Sequence, residues 1–304
     1  MYIEKRRPSW LKKRLVLSDN VKQMKSILSG VDTVCESSLC PNLNECYSRM
    51  FATFLILGAN CTRACSFCSV DNNVPKAVDP KEPKKIVSIV KKIGLKYVVI
   101  TSVTRDDLPD GGASQFARVV RSLKRYRQDI KVEVLVPDFN GNKKSLEKVF
   151  DAGPDIFGHN TETVKRLYPL VRRGADYTRS LDVLRAARDF PGRHLVKSAL
   201  MLGLGETDDE TIAAMTDIRK AGCDILTIGQ YLRPRMANMP VSRYLKLPEF
   251  EKFKQIGRGL GFKYVSSGPF VRSSYFAEEA YFKCINAPGV ADERVCGIMM
   301  LARL

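Results

Sequence analysis

From about residue 53 the chain alternates between short β-branched runs and longer amphipathic stretches. The short runs predict six strands, and a stretch with helical periodicity follows each of them. The predicted strands are 53–57, 97–101, 131–136, 155–158, 195–200 and 225–229. The predicted helices are 84–93, 113–126, 145–150, 181–189, 208–220 and 248–260. Asp208 is expected to cap the helix at 208–220.

Strands that alternate with helices form parallel sheets with right-handed crossovers. Six such units predict either an open doubly wound sheet or a barrel, complete or partial. In both architectures ligands bind at the carboxyl ends of the strands, so the loops after the strands are the candidates for chemistry. Residues 1–50 precede the alternation and are expected to form an N-terminal extension.

The composition narrows the class of protein. With 304 residues, 44% of them hydrophobic and 27% charged, the chain can bury a core and is neither disordered nor fibrous. Its longest apolar run, residues 51–59, is shorter than the roughly 20 residues of a membrane span, so no membrane partner is expected. The first residues do not resemble a secretory signal, which makes the cytoplasm the expected location.

Cysteine and histidine usage points to thiolate chemistry. Disulfides are rare in a reducing cytoplasm, so the nine cysteines are expected to be buried, reactive or metal-bound. With only two histidines, His159 and His194, a three-histidine zinc centre is excluded. The formal net charge is +17, and residues 1–30 hold eight basic side chains against two acidic ones. This basic arm could contact nucleic acid, contact an acidic protein or form a solvated face.

Three cysteines follow the first predicted strand in a CxxxCxxC pattern: Cys61, Cys65 and Cys68. Three thiolates fall one short of a tetrahedral structural zinc site, but they suit a 4Fe-4S cluster with one open iron. An open iron can coordinate a substrate or cofactor. The alternative is a zinc knuckle with a distant fourth cysteine.

With the aromatic Phe67 before its last cysteine, this loop resembles the radical S-adenosylmethionine superfamily. The resemblance implies a partial (β/α)6 barrel and S-adenosylmethionine bound to the open iron. It also implies reductive cleavage of that cofactor to a 5′-deoxyadenosyl radical, with the protein orienting and shielding the chemistry.

A second group, Cys35, Cys40 and Cys46, has CxxxxCxxxxxC spacing, and an Arg-Ser-Ser-Tyr tetrad stands at 272–275. Together with the CxxxCxxC loop, these motifs resemble the lipoyl synthase family. Segments 101–112, 135–139, 174–177 and 203–207 also fit that family, so the resemblance runs from about residue 31 to 276.

The lipoyl synthase resemblance implies two 4Fe-4S clusters. Cys35, Cys40 and Cys46 would hold an auxiliary cluster whose fourth iron is bound by Ser274, with Ser273 as the alternative. This cluster would be the sulfur donor, consumed as two sulfur atoms enter carbons 6 and 8 of a protein-bound octanoyl group. The alternative function is another two-cluster radical enzyme, such as a methylthiotransferase, against which the tetrad argues.

The same resemblance implies the partners. The substrate would be an octanoylated carrier, either the lipoyl domain of a 2-oxoacid dehydrogenase E2 subunit or the glycine cleavage H protein. The resemblance also implies an electron donor, such as ferredoxin or flavodoxin, and an iron-sulfur cluster carrier. No nucleic acid is expected as a partner. The implied organisation is an extension at 1–50 with the auxiliary cysteines, a barrel at 51–265, and a C-terminal segment at 266–304 with the tetrad.

Five residues after the strands are candidates for cofactor contact besides Phe67. Gly111 and Gly112 match the loop that the superfamily places against the methionine amino group, or else simply end a loop before a helix. Asn160 and Glu162 match polar groups that reach the ribose. Glu206 matches an adenine-side loop, or else stabilises a helix N-terminus.

The remaining candidates fit no ligand pattern. His159, at the end of a strand, is expected either to be structural or to contact a ligand. Cys223 is expected to be a small core residue. Cys284 and Cys296 are expected to be spare thiols in a tail beyond the resemblance.

Overall fold

The computed structural model describes residues 7–286 except 14, 15, 17 and 193. These residues contain one eight-stranded sheet with its strands in chain order. The strands are β1 (Asp32–Thr33), β2 (Thr53–Ile56), β3 (Tyr97–Ser102), β4 (Lys131–Leu135), β5 (Ile156–Gly158), β6 (Leu195–Leu202), β7 (Ile225–Gln230) and β8 (Tyr264–Gly268). β1 pairs antiparallel with β2, and every later neighbour is parallel. β1 and β8 are the two edges, so the sheet is a partial barrel.

Helices connect the strands and pack against the sheet. They are α1 (Asp19–Ile27), α2 (Val34–Ser37), α3 (Leu43–Ser48), α4 (Glu82–Ile93), α5 (Ala113–Tyr126), α6 (Lys143–Phe150), α7 (Tyr168–Val171), α8 (Tyr177–Asp189), α9 (Asp208–Lys220), α10 (Leu247–Gly259) and α11 (Ala277–Ile285). No helix among the described residues is long and apolar enough to cross a membrane.

The predicted partial barrel is confirmed, and it has one more parallel strand than predicted. All six predicted strands are present with ends within two residues of the prediction, and the missed one is β8. The prediction that Asp208 caps its helix is wrong. Thr207 is the cap: its hydroxyl accepts from the Glu210 amide, and the Glu210 carboxylate accepts from the Thr207 amide. This reciprocal capping box satisfies two amides at once, so Asp208 becomes the first helical residue.

The segment before β2 packs against the sheet. β1 extends the sheet beyond β2, and α1 buries Val21, Met24 and Ile27 in the main core. The Thr33 hydroxyl caps α2 and lies 3.0 Å from the Tyr47 hydroxyl of α3, which is fully buried. Residues 19–48 are therefore held in place beside β2.

The C-terminal helix α11 fills one end of the barrel. Alternate residues of a strand face opposite sides of a sheet. Tyr97 and Val99 of β3 accordingly pack with α11, whereas Val98 and Ile100 pack with the outer helices. The residues that contact α11 from inside the barrel are Tyr97, Val99, Ile156, Leu195 and Ile225. They lie near the amino ends of their strands, so α11 closes the end opposite the CxxxCxxC loop.

Candidate functional site

The CxxxCxxC loop begins where the chain leaves β2 through two left-handed residues, Leu57 and Gly58, with φ of 71° and 85°. Backbone amides surround its sulfurs. The Cys61 Sγ accepts from the amides of Arg63 at 3.4 Å and Thr104 at 3.3 Å. The Cys68 Sγ accepts from the Val70 amide at 3.5 Å. Amides that donate to sulfur stabilise a thiolate, and in iron-sulfur proteins they tune the reduction potential.

A buried arginine anchors this loop to the neighbouring strands. The Arg63 guanidinium donates to both carboxylate oxygens of Asp106, at 2.7 and 2.9 Å, and lies 2.8 Å from Asp138. It also donates to the Asn140 side-chain oxygen at 2.6 Å. Burial alone would raise the pKa of Asp138, but the contact with Arg63 lowers it below its usual range. The loop is thus tied to the carboxyl ends of β3 and β4 by charge-assisted bonds.

Two further loops hold the other side of the CxxxCxxC segment. The Ser66 amide donates to the Val171 carbonyl at 3.0 Å, and the Met239 amide donates to the Ser66 carbonyl at 2.9 Å. The Asn238 side chain donates to the Cys68 carbonyl at 2.7 Å. The loops after β5 and β7 therefore fix the backbone between the cysteines.

The second cysteine group lies beside the edge of the sheet. Cys35 follows β1 in α2, Cys46 lies in α3, and the Cys40 amide donates to the Cys35 carbonyl at 3.0 Å. The two cysteine-bearing segments meet where the Ser69 hydroxyl donates to the Ser37 carbonyl at 3.0 Å. The segment that carries Cys35 and Cys40 therefore lies beside the segment that carries the CxxxCxxC motif.

All eight described cysteines are free thiols, and Cys296 lies outside the described residues. Burial raises the pKa of Cys35 to about 11 and those of Cys46 and Cys68 to about 12, with the neighbouring cysteines of each set adding to the shift. Burial also raises the pKa of Cys65. A metal that binds these sets must therefore displace protons.

No group of three or more His, Cys, Asp or Glu among the described residues is arranged to hold one metal ion. A 4Fe-4S cluster requires a wider arrangement, since each thiolate binds a different iron. Six unpaired thiols in two sets of three are the donor chemistry that two such clusters require.

The tetrad contacts both the segment that carries Cys46 and the loop after β5. The Ser273 hydroxyl donates to the Asn160 side-chain oxygen at 3.1 Å, and the Tyr275 hydroxyl donates to Glu45, which precedes Cys46. The Arg272 guanidinium lies within the range of electrostatic interaction with Cys40 and Glu162. The Ser274 hydroxyl makes no hydrogen bond within the described part of the chain.

Asn160 and Glu162 follow β5 and lie on the side of the tetrad that faces the CxxxCxxC loop. The Asn160 side chain donates to the Glu162 carboxylate at 2.9 Å. Glu162 has φ of 67° and pairs with β6 through the Ala199 carbonyl and the Met201 amide, both at 2.8 Å. Burial raises the pKa of Glu162 although Arg172 and Asn160 oppose the shift. The structure brings this carboxylate close to Cys65 and Cys68.

Gly111 and Gly112 close the loop after β3, and packing alone requires both. Gly112 has φ of 91°, and a Cβ there would lie 2.2 Å from the Leu57 Cδ1. A Cβ on Gly111 would lie 2.9 Å from the Phe139 ring. Their contact with the cofactor stays a prediction, as does that of Phe67, whose ring packs half-buried against the main core.

Glu206 is buried, and its carboxylate is hydrogen-bonded to the backbone of its own loop. Its two carboxylate oxygens accept from the amides of Gly203 at 2.6 Å and Leu204 at 2.9 Å. Burial raises its pKa, although these amide bonds oppose the shift. The carboxylate therefore shapes the loop after β6, and any cofactor contact is made by a loop of fixed conformation.

His159 is buried. Its Nδ1 donates to the Val136 carbonyl at 2.9 Å, whereas its Nε2 has no partner among the described residues. Burial lowers its pKa to about 4. Cys223 is fully buried in the main core, and Cys284 is buried on α11.

Sequence reasoning assigned no role to the residues that hold the motifs in place. Arg63 stands inside the CxxxCxxC motif, and a basic residue between thiolates was an available signal. Asp138 lies within the family-like segment 135–139, but its pairing with Arg63 depends on the packed barrel. Glu45 lies next to Cys46, and its link to Tyr275 was not visible in the sequence.

Comparisons with known proteins identify the family of the chain. The model of the radical SAM superfamily matches residues 55–218. The chain is 49% identical over 279 residues to the lipoyl synthase of Caldicellulosiruptor saccharolyticus, covering 91% of this chain and 98% of that one. It is 54% identical over 252 residues to the lipoyl synthase of Aquifex aeolicus, covering 83% and 91%.

Solved structures show the same fold at low identity. SuiB of Streptococcus suis, bound to its precursor peptide SuiA, has a TM-score of 0.55 at 12% identity over 75% of this chain and 52% of that one. Methylornithine synthase PylB has a TM-score of 0.51 at 14% identity over 84% and 83%. With about half of its residues shared with lipoyl synthases along nearly its whole length, the chain belongs to the lipoyl synthase family of radical SAM enzymes.

Proposed function

We propose that the chain inserts two sulfur atoms at carbons 6 and 8 of a protein-bound octanoyl group, with two 4Fe-4S clusters and S-adenosylmethionine. Membership of the family makes it a radical SAM enzyme that inserts sulfur. One observation carries the finer proposal: the tetrad that contains Ser274 hydrogen-bonds to Glu45, next to Cys46, and to Asn160, whose partner Glu162 lies near Cys65 and Cys68.

Cys35, Cys40, Cys46 and Ser274 are the proposed ligands of the auxiliary cluster. The residues that flank the serine support this set, since Arg272 lies near Cys40 and Tyr275 lies near Cys46. Ser274 is favoured over Ser273 because the Ser273 hydroxyl already donates to Asn160. An oxygen ligand binds iron in a sulfur cluster weakly, which suits a corner that opens when sulfur is removed.

Cys61, Cys65 and Cys68 are the proposed ligands of the other cluster, whose open iron would bind S-adenosylmethionine. When bound, the two clusters supply an electron for cofactor cleavage and the sulfur atoms of the product. Proposed cofactor contacts are Phe67, Gly111, Gly112, Asn160, Glu162 and Glu206.

The chain's own residues would position these groups. Arg63 and Asn238 fix the CxxxCxxC backbone on both sides. The Ser273–Asn160–Glu162 chain of hydrogen bonds sets the spacing between the tetrad and the cofactor side. This matters because a carbon radical on the substrate must meet a sulfur atom before it meets solvent.

The substrate is proposed to be octanoyl-lysine on a carrier, either an E2 lipoyl domain or the H protein. A ferredoxin or flavodoxin and a cluster carrier complete the proposed partners, without nucleic acid, in the cytoplasm, where free thiols persist. We assign the extension at 1–50, the barrel at 51–265 and the segment at 266–304 as its functional parts. The basic arm would then speed encounter with an acidic carrier, so turnover should slow as the salt concentration rises.

Anaerobic reconstitution tests the proposal. The full chain should bind about eight irons, as two 4Fe-4S clusters require. With reductant, S-adenosylmethionine and an octanoylated carrier peptide, it should form 5′-deoxyadenosine and a peptide that has gained two sulfur atoms. Ser274→Ala should alter the auxiliary cluster and leave cofactor cleavage intact. Cofactor cleavage without sulfur gain, a methylthio product, or only about four irons would contradict the proposal.

A further inference from the structure

A group of side chains joins the N-terminal segment to the tetrad across the gap between the edge strands β1 and β8. We call this group, formed by Lys13, Asn42, Glu45, Phe270 and Tyr275, the terminal clamp. The Tyr275 hydroxyl donates to both Glu45 oxygens, at 3.0 and 3.1 Å. Lys13 forms an ion pair with Glu45 and donates to the Asn42 side-chain oxygen. The Asn42 amide group donates to the Phe270 carbonyl at 2.7 Å.

The lysine is shared between an acid and two aromatic rings. Its ammonium lies 5.2 Å from the ring centroids of both Phe270 and Tyr275, within the range of cation–π attraction. The Lys13 and Glu45 side chains are only 22% and 18% exposed. Solvent and salt screen such a pair less than one on the open surface. Lys13 of the basic arm therefore joins the N-terminal segment to Phe270 and Tyr275.

The residues of the clamp stand next to the auxiliary cysteines on one side of the gap and next to Ser274 on the other. Glu45 directly precedes Cys46, and Asn42 lies between Cys40 and Cys46. On the other side of the gap, Tyr275 directly follows Ser274. The contacts of the clamp therefore fix how far the Ser274 hydroxyl lies from the thiols.

This placement matters because the serine is a weak ligand. A hydroxyl oxygen binds iron in a sulfur cluster less strongly than a thiolate, so little binding energy is available to order a mobile segment. The geometry must be supplied in advance by residues that do not touch the metal.

We propose that Tyr275, Glu45 and Lys13 are positioning residues that hold Ser274 at the fourth iron of the auxiliary cluster. The inference rests on the proposed function, because it presumes that Ser274 is a ligand. The inference adds that Ser274 is held in place by the contact of Lys13 and Glu45 with Tyr275.

The test uses the full-length chain with Cys61, Cys65 and Cys68 replaced by alanine, so that only the auxiliary cluster forms. In this background Tyr275→Phe removes one oxygen atom. Iron per chain and the electron paramagnetic resonance spectrum after mild oxidation are measured. Tyr264→Phe is the matched control, because the Tyr264 hydroxyl makes no hydrogen bond in the described part of the chain.

The parent should bind about four irons. Tyr275→Phe should lose about one iron per chain and give a three-iron cluster signal, as Ser274→Ala should, while Tyr264→Phe should match the parent. If Tyr275→Phe keeps its fourth iron, the clamp is refuted and the proposed function stands. If Ser274→Ala also matches the parent, or the parent binds no cluster, both are refuted.

A second comparison separates the clamp from a general loss of stability. Glu45→Leu removes the contact with Tyr275 together with the Lys13 ion pair, so it should lose at least the share of iron that Tyr275→Phe loses. The double variant should lose no more than Glu45→Leu alone, because the Tyr275 contact is already absent in that variant. Additive losses would contradict the clamp.

Discussion

Removal of the Arg63 guanidinium should destabilise the CxxxCxxC loop and the fold together. Arg63→Met keeps the apolar stem of the side chain and deletes the contacts with Asp106 and Asp138. The Arg63 side chain is 7% exposed and that of Asp138 is fully buried. Removing one partner of a buried ion pair costs about 3–5 kcal/mol, because the other charge stays buried.

The surroundings place the expected cost at the lower end of that range. Asp138 keeps Arg179 as a second partner at 2.8 Å, and the Asp106 side chain is 32% exposed, so water replaces part of its loss. We therefore expect the free energy of unfolding of the metal-free chain to fall by about 3 kcal/mol. Anaerobic urea titration measures it.

Arg127→Met is the matched control, since the Arg127–Asp129 pair is exposed to solvent and its loss should change the stability little. In a chain that lacks Cys35, Cys40 and Cys46, Arg63→Met should also lower the iron bound by the remaining set, because the loop that carries it is no longer fixed. A loss of stability no larger than that of Arg127→Met would refute the reasoning.

Three further predictions concern buried groups. Burial lowers the pKa of His159 from 6.5 to about 4, so the unfolded chain takes up a proton first. The free energy of unfolding should thus fall by about 1 kcal/mol between pH 7 and 5.5. Urea titrations at a series of pH values should show this fall in the parent chain and not in His159→Gln. An unchanged pH dependence in the variant would contradict the prediction. Lys197→Met should cost about 3–5 kcal/mol by leaving Glu133, 1% exposed, without its ion pair. Adding Glu133→Gln should recover most of this loss, and no recovery would count against the pair as its cause. Gly112→Ala should destabilise by more than Gly30→Ala in thermal melts, because both have φ above 90° but only Gly112 lacks room for a Cβ; equal losses would exclude the steric cause.

The six predicted parallel strands were predictable because each is largely buried on both faces and therefore forms a compact apolar run. β8 was not, since its sequence Tyr-Val-Ser-Ser-Gly carries polar residues that only its pairing with β7 makes part of the sheet. β1 is two residues long, too short for any periodic pattern, and it exists because β2 offers it an edge.

The candidate site divides in the same way. Both cysteine sets are local sequence motifs: Cys61, Cys65 and Cys68 lie on one loop, and Cys35, Cys40 and Cys46 lie on α2, α3 and the turn that joins them. The contacts that fix those segments are long-range. Glu45 and Tyr275 are 230 residues apart, and Arg63 and Asp106 are 43 apart. Such pairs depend on how the barrel curves, and no single-sequence pattern records that.

The position of α11 has a consequence for how cofactor and substrate would enter and leave the barrel. With this helix filling one end of the barrel, the proposed cofactor, the substrate arm and the products would share the opposite end. Two rounds of cofactor cleavage would then require the first methionine and 5′-deoxyadenosine to leave, and a fresh S-adenosylmethionine to enter, beside an arm that already carries one sulfur. Under the proposed function, this exchange at one end of the barrel would add to the time for which the half-finished product stays bound.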